Sequence, residues 1–176
     1  MNEVQSIKLK NGSAVTLRPA TVEDAKGIVE TIRSSSEERS SLILEMHGKH
    51  IGSERKFIEG LDRGNNLLLV AVADDKVVGC LAALRASEWE DRLARVVEIG
   101  LHLRDGYRGG GLGSAMLSYA VEWARSKGFK KMLMSIFTNN KRSASLFTRQ
   151  GFSEVAAKNI QTTNTSLNKI ILTRSL

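Results

Sequence analysis

Residues 105–117, DGYRGGGLGSAML, place four glycines (Gly109, Gly110, Gly111 and Gly113) within five positions, directly behind Arg108. Leu112, Met116, Tyr119, Ala120 and Trp123 then recur at three- and four-residue steps, which predicts an amphipathic helix ending near Gly128. Glycine loses the most conformational freedom on ordering and brings no side-chain chemistry, so a cluster at a helix start needs a physical reason. A helix N-terminus presents N–H groups with no partner inside the helix, together with the positive end of the macrodipole. Glycines there let an anion reach those donors without meeting Cβ atoms. The segment therefore predicts a strand, ARVVEIGLHL (94–103), then a tight loop, then a helix whose bare amides face a phosphate or pyrophosphate. The fork of Arg108 stands beside it.

The common phosphate-binding patterns do not fit. A P-loop begun at Gly106 has Gly111 in register, but Leu112 stands where lysine is required. The dinucleotide pattern G-x-G-x-x-G fails at Ser114 from Gly109 and at Met116 from Gly111. Charge nevertheless gathers here. Residues 104–150 hold nine Lys/Arg and two acids, Asp105 and Glu122, a net of +7. Of the chain's 26 basic and 19 acidic residues the remaining 17 of each cancel, so the whole excess lies around the glycines. That distribution favours an anionic partner over a plain solvated face. No run of aromatics is interleaved with the basic residues, which argues against nucleic acid.

At 176 residues the chain is read as one domain, 1–176. Its longest apolar run, Leu67–Ala73, is too short to span a bilayer, and MNEVQSIKLKNG has no apolar signal region, so no membrane association is expected. The single cysteine, Cys80, lies in KVVGCLAAL and reads as a small buried hydrophobe in a reducing, cytoplasmic setting. No metal is expected, because His47, His50 and His102 lack ligand spacing. Along the chain, SAVTLRP predicts a strand and Thr21 caps a following helix that carries Ile28, Val29 and Ile32. A second helix is predicted over Ser53–Arg63, burying Phe57, Ile58 and Leu61. Two apolar runs around Asp74–Asp75 predict a hairpin. After the glycine-led helix come a strand KKMLMSIF, a helix over Asn140–Gln150 stopped by Gly151, and two closing strands. The order β-α-α-β-β-β-α-β-α-β-β predicts an α/β domain of the α+β type, with a mixed, mostly antiparallel sheet of six to seven strands and four helices.

Arg108-Gly-Gly-Gly-Leu-Gly113 resembles the R/Q-x-x-G-x-G/A signature of the GNAT superfamily of N-acetyltransferases. Asn140-Lys-Arg-Ser-Ala-Ser-Leu-Phe147-Thr-Arg-Gln-Gly151-Phe152 is similar to that family's N-x-x-[AS]-x-x-L-[YF]-x-x-x-G-F helix. The likeness is tight over 95–153 and looser from 14 to 174. It implies the GNAT fold and acetyl-CoA as cosubstrate. Main-chain N–H groups of Gly109, Gly110, Gly111, Leu112, Gly113 and Ser114 would hold the pyrophosphate, with Arg108 fixing the turn. Main-chain groups of Leu101, His102 and Leu103 would pair with the pantetheine arm. Asn140 would contact the cofactor, while also serving as an N-cap.

The resemblance further implies transfer of the acetyl group to a primary amine by direct attack in a ternary complex. Glu98 is the candidate base, being a carboxylate inside an apolar strand; the alternatives are a structural Glu98 bonded to backbone or Arg95, or His102 as base. Strict alternation puts Glu98, Gly100 and His102 on one face, which a bulge, often found in the family, would upset. Many family members carry tyrosine as thiolate proton donor where this chain has Phe147, leaving Tyr107, Tyr119, Ser143 or water for that step. A non-catalytic acyl-CoA sensor on the same fold is the alternative function. The acceptor, a small molecule or a protein, is not legible. It would be gripped by parts of 21–63, 85–92 and 157–167, where Glu37, Glu38, Glu45, Glu88, Glu90 and Asp91 are available to a cationic amine. A homodimer is left open.

Overall fold

The computed structural model describes residues 4–35, 50–87, 93–162 and 165–176, and for 158–162 and 165–167 the backbone alone. Its elements are β1 (Gln5–Lys8), β2 (Ala14–Pro19), α1 (Ala25–Ser34), α2 (Ile51–Glu59), β3 (Leu67–Ala73), β4 (Lys76–Arg85) and β5 (Val96–Leu103). There follow α3 (Leu112–Ser126), β6 (Lys131–Phe137), α4 (Lys141–Arg149), β7 (Ser153–Thr162) and β8 (Thr165–Ser175). The strands form a single sheet in the order β1-β2-β3-β4-β5-β6-β8-β7, antiparallel except between β5 and β6. The α/β class and the mostly antiparallel sheet are as the sequence predicts. The described residues contain eight strands, one more than the expected range, and no helix long and apolar enough to cross a membrane.

The additional strand is β1. It is four residues long with Ile7 as its one strongly apolar residue, too little pattern to stand out. Its hairpin signal is Asn11-Gly12, where Gly12 adopts φ +87° and Asn11 Oδ1 accepts from Ser13 N at 3.1 Å. At the β3–β4 hairpin, Asp74 and Asp75 both take positive φ, 47° and 58°, the left-handed pair that a two-residue turn between twisted strands demands.

Alternation along the strands creates two cores. On one face Leu17, Leu69, Leu81, Val97 and Ile99 meet Leu112, Met116, Tyr119 and Trp123 of α3. On the other, Leu68, Val70, Cys80 and Ala82 pack with Ala25 and Ile28 of α1 and Ile58 of α2. Helix α1 is aimed by its start and docked by its middle. Asp24 accepts from the Arg18 fork at 2.6 and 2.8 Å and from Thr21 N at 2.7 Å, so this buried carboxylate is fully paired. Farther on, a Cβ on Gly27 would lie 2.7 Å from Val77 Cγ2, so only glycine lets α1 reach β4 this closely.

Candidate active site

Strand β5 is held by β4 along Val97–Leu103 with no register shift, so the expected parity stands and Glu98, Gly100 and His102 share the α1/α2 face. Its parallel pairing with β6 covers only Val96, Val97 and Glu98. Beyond Glu98 the two strands part, and the β6-facing edge of Ile99–Leu103 has no strand partner among the described residues. A cavity of about 480 Å³ lies beside this end of β5, lined by Leu101, His102 and Leu103 together with the glycine loop and α4.

The glycine loop forms one end of the cavity. Gly109 and Gly111 have φ +78° and +99°, and Gly111 is the N-cap of α3 in the left-handed region, a conformation closed to most side chains. Gly113 serves a different purpose. A Cβ there would sit 3.0 Å from Leu146 Cδ2 and 3.4 Å from Leu103 Cδ1, so its bareness allows α3, α4 and β5 to close together. Arg108 Nε donates to Leu103 O at 3.2 Å and its guanidinium lies 3.2 Å from Asp105, tying the loop back to the end of β5.

Of the residues expected at the site, Leu101, His102, Leu103, Arg108, Gly109, Gly111, Gly113 and Ser114 lie on the cavity wall. Gly110, Leu112, Asn140 and Glu98 do not. Gly110 O instead accepts from Lys10 N at 3.1 Å, and Leu112, the first residue of α3, is buried in the core. Asn140 caps α4, its Oδ1 accepting from Ser143 N at 3.0 Å, while its buried Nδ2 has no partner among the described residues. Glu98 is half-buried at the last β5–β6 pair, opposite Leu133, where the strands diverge. Of the three side chains considered as proton donors in place of Phe147, Ser143 reaches the wall, whereas Tyr119 is in the core. Phe147 itself is buried, edge-on to Phe152 with centroids 5.2 Å apart. Glu37, Glu38, Glu45, Glu88, Glu90 and Asp91 lie outside the described residues.

Sequence reading missed Lys10, Ser35, Arg142, Leu146 and Arg149 as wall residues. Lys10 comes from the β1–β2 turn, and Arg142 and Arg149 from α4, so with Arg108 four cations from three chain segments converge on one cavity. The +7 charge of 104–150 was the available signal for the α4 pair; nothing in the sequence joined Lys10 to them. His102 is buried with Nδ1 2.5 Å from Ser35 Oγ. Burial, helped by the charge of Arg108, pushes its pKa down to about 4, so the imidazole is neutral at physiological pH.

A β-edge without a strand partner among the described residues, the amides of a helix start and a cationic rim meet at this cleft, an arrangement chemically suited to an extended, polyanionic ligand. The Acetyltransferase (GNAT) family model matches residues 31–152, and the chain belongs to that family. A 60-residue stretch is 33% identical to Bacillus subtilis (strain 168) YwnH, provisionally named a phosphinothricin acetyltransferase; it covers 34% of this chain and 37% of that protein. Two similar solved structures, each 22% identical, extend the likeness of fold. One is a GNAT superfamily phosphinothricin acetyltransferase from Sinorhizobium meliloti in complex with acetyl-CoA, with a TM-score of 0.78 over 92% of this chain and 88% of that one. The other is a ribosomal-protein-alanine N-acetyltransferase from Brucella melitensis, with a TM-score of 0.78 over 91% and 99%.

Proposed function

We propose that the chain is an acetyl-CoA-dependent N-acetyltransferase, acting as one domain over 1–176 in the cytoplasm and passing the acetyl group directly to a primary amine. The observation that carries this reading is the parting of β5 from β6 beside a cavity that has the glycine loop and four cations at its wall. These residues fit the coenzyme. Amides of Gly109, Gly111, Leu112, Gly113 and Ser114 receive the diphosphate, with Arg108 holding the loop in shape. Main-chain groups of Leu101, His102 and Leu103 pair with the pantetheine arm as an added strand, and the Asn140 Nδ2–H group is a spare donor at the start of α4.

Acetyl-CoA supplies the activated acyl group. The chain's share of the work is to orient the thioester along β5, offer an N–H to the carbonyl oxygen as charge develops there, and take a proton from the amine. Glu98 is the proposed base, at the point where the sheet opens. Ser143, on the wall, is the proposed donor of the proton that Phe147 cannot give to the departing sulfur. Phe147 also keeps a second reading in view, a non-catalytic acyl-CoA sensor. Calorimetry with acetyl-CoA, followed by release of free thiol with a panel of amines, separates the two. Binding with turnover supports the enzyme, binding without turnover on a broad panel supports the sensor, and no binding removes both.

A further inference from the structure

Helix α2 buries a charged side chain that the proposed mechanism does not use. Glu54, in the helix's first turn, is 0% exposed, and neither carboxylate oxygen has a hydrogen-bond partner among the described residues. Ile58, one turn along the same helix, is buried in the layer between α1, α2 and the sheet. Without a partner in such surroundings the charged form is disfavoured, and burial pushes its pKa up to about 7. The contrast with Asp24 is informative: the other buried carboxylate on this side is held by the Arg18 fork and a backbone N–H. Where a carboxylate is structural, this fold supplies its donors.

A second unsatisfied acceptor borders the same layer. Ile58, one turn from Glu54, packs in one buried cluster with Cys80, and Cys80 is the register partner of His102 on β5. Ser35 Oγ stands 2.9 Å from Ile32 O and 2.5 Å from His102 Nδ1. Its single proton goes to the carbonyl, so Nδ1–H donates to Oγ and the lone pair is left on Nε2; this assignment follows from the hydrogen-bond network. Nε2 is buried and without a partner among the described residues. Ser35 and His102 both stand on the cavity wall.

With Glu54 ionised, its two oxygens and His102 Nε2 are all acceptors, so the group that satisfies them brings several N–H donors and a positive charge. We propose that Glu54 and His102 form the seat for the acceptor's primary ammonium group, reached from the His102–Ser35 wall of the cavity. A primary ammonium carries three donors, a hydroxyl one and a quaternary ammonium none. The carboxylate is closed to water, so side chains over it must part as the cation arrives; an alkyl group would give no hydrogen bonds in return. The proposal rests on the N-acetyltransferase reading and assigns the acceptor side of that site.

The test is an NMR titration of the CoA-saturated protein with n-butylammonium and with butyltrimethylammonium, beside steady-state kinetics on a panel of primary amines. The primary ion is expected to bind and the quaternary ion not. Glu54→Gln should weaken the primary ion about 10-fold or more and raise the amine KM by a similar factor, with CoA affinity within about twofold. Glu54→Leu, which removes the polar group altogether, should lose the amine as severely while folding normally. Variants that bind and acetylate amines as the wild type does, or equal binding of the two ions, would overturn the seat. If the wild type acetylates nothing on the panel, the parent reading fails, and the seat is then decided by the butylammonium titration alone: loss of that binding in Glu54→Gln supports it, and no binding in the wild type refutes it.

Discussion

Single residues at the glycine loop do separate jobs that one short motif does not distinguish. Gly111 needs its left-handed φ of +99°, which a β-branched side chain resists by roughly 1–2 kcal/mol. Gly111→Val should therefore raise the Kd for acetyl-CoA at least about tenfold by distorting the amide row, as calorimetry would record. Gly113 is bare for packing: Gly113→Leu drives a side chain into Leu146 and Leu103 and should destabilise the fold by about 1–3 kcal/mol in urea denaturation. An unchanged Kd in Gly111→Val, or an unchanged stability in Gly113→Leu, would contradict this division. Glu98→Gln should lower kcat at neutral pH by about 100-fold or more while CoA affinity stays within about twofold; an unchanged pH–rate profile would exclude Glu98 as base. Residues whose role is local backbone geometry, such as Gly111, were legible in the sequence. The role of Gly113 was not, because its neighbours arrive from β5 and α4.

At the scale of elements, two features depend on segments far apart in sequence. The β1–β2 hairpin bonds the glycine loop through Lys10 N and Gly110 O, and brings the Lys10 side chain to the cavity. Lys10→Ala and Arg149→Ala should each weaken acetyl-CoA binding by about 3–10-fold and flatten its salt dependence, which binding measured at two ionic strengths would check. Helix α1 docks through Thr31, fully buried, with Oγ1 2.8 Å from Gly27 O and 3.0 Å from Val77 O, and accepting from Arg104 Nε at 3.1 Å. Thr31→Val keeps the shape and strands those polar groups, so a loss of about 1–3 kcal/mol is expected in urea denaturation. The predicted helix over Ser53–Arg63 forms as Ile51–Glu59; Ile58 is buried as its spacing indicated, and Phe57 and Leu61 are partly so. Helical periodicity marks apolar positions, so it could not have flagged the buried Glu54 beside them.

For the whole molecule, Glu54 and His102, both buried and perturbed, set opposing pH dependences of stability. Glu54 has its folded pKa raised to about 7, so its contribution is fully present below pH 4.5 and is lost as pH rises from 4.5 to 7. His102 has its folded pKa lowered to about 4, so stability falls as pH drops from 6.5 towards 4, where the unfolded chain takes the proton first. Each slope is at most about 1.4 kcal/mol per pH unit, and between pH 4.5 and 6.5 the two cancel. Thermal denaturation of Glu54→Gln should thus show stability rising with pH across that window, and His102→Phe should show it falling. Parallel profiles for wild type and both variants would refute the pair of shifts. The sequence by itself determined the order of elements, the strand–loop–helix around the glycines and the basic bias beside it, because turn chemistry, periodicity and local charge act over a few residues. Only the tertiary structure decided where β5 leaves β6, that Lys10 and Ser35 join Arg142 and Arg149 at one cavity, and that Glu54 is sealed without a partner. Those are matters of which distant surfaces meet, and the free energy that selects them comes from burial and pairing across the whole chain rather than from any segment alone.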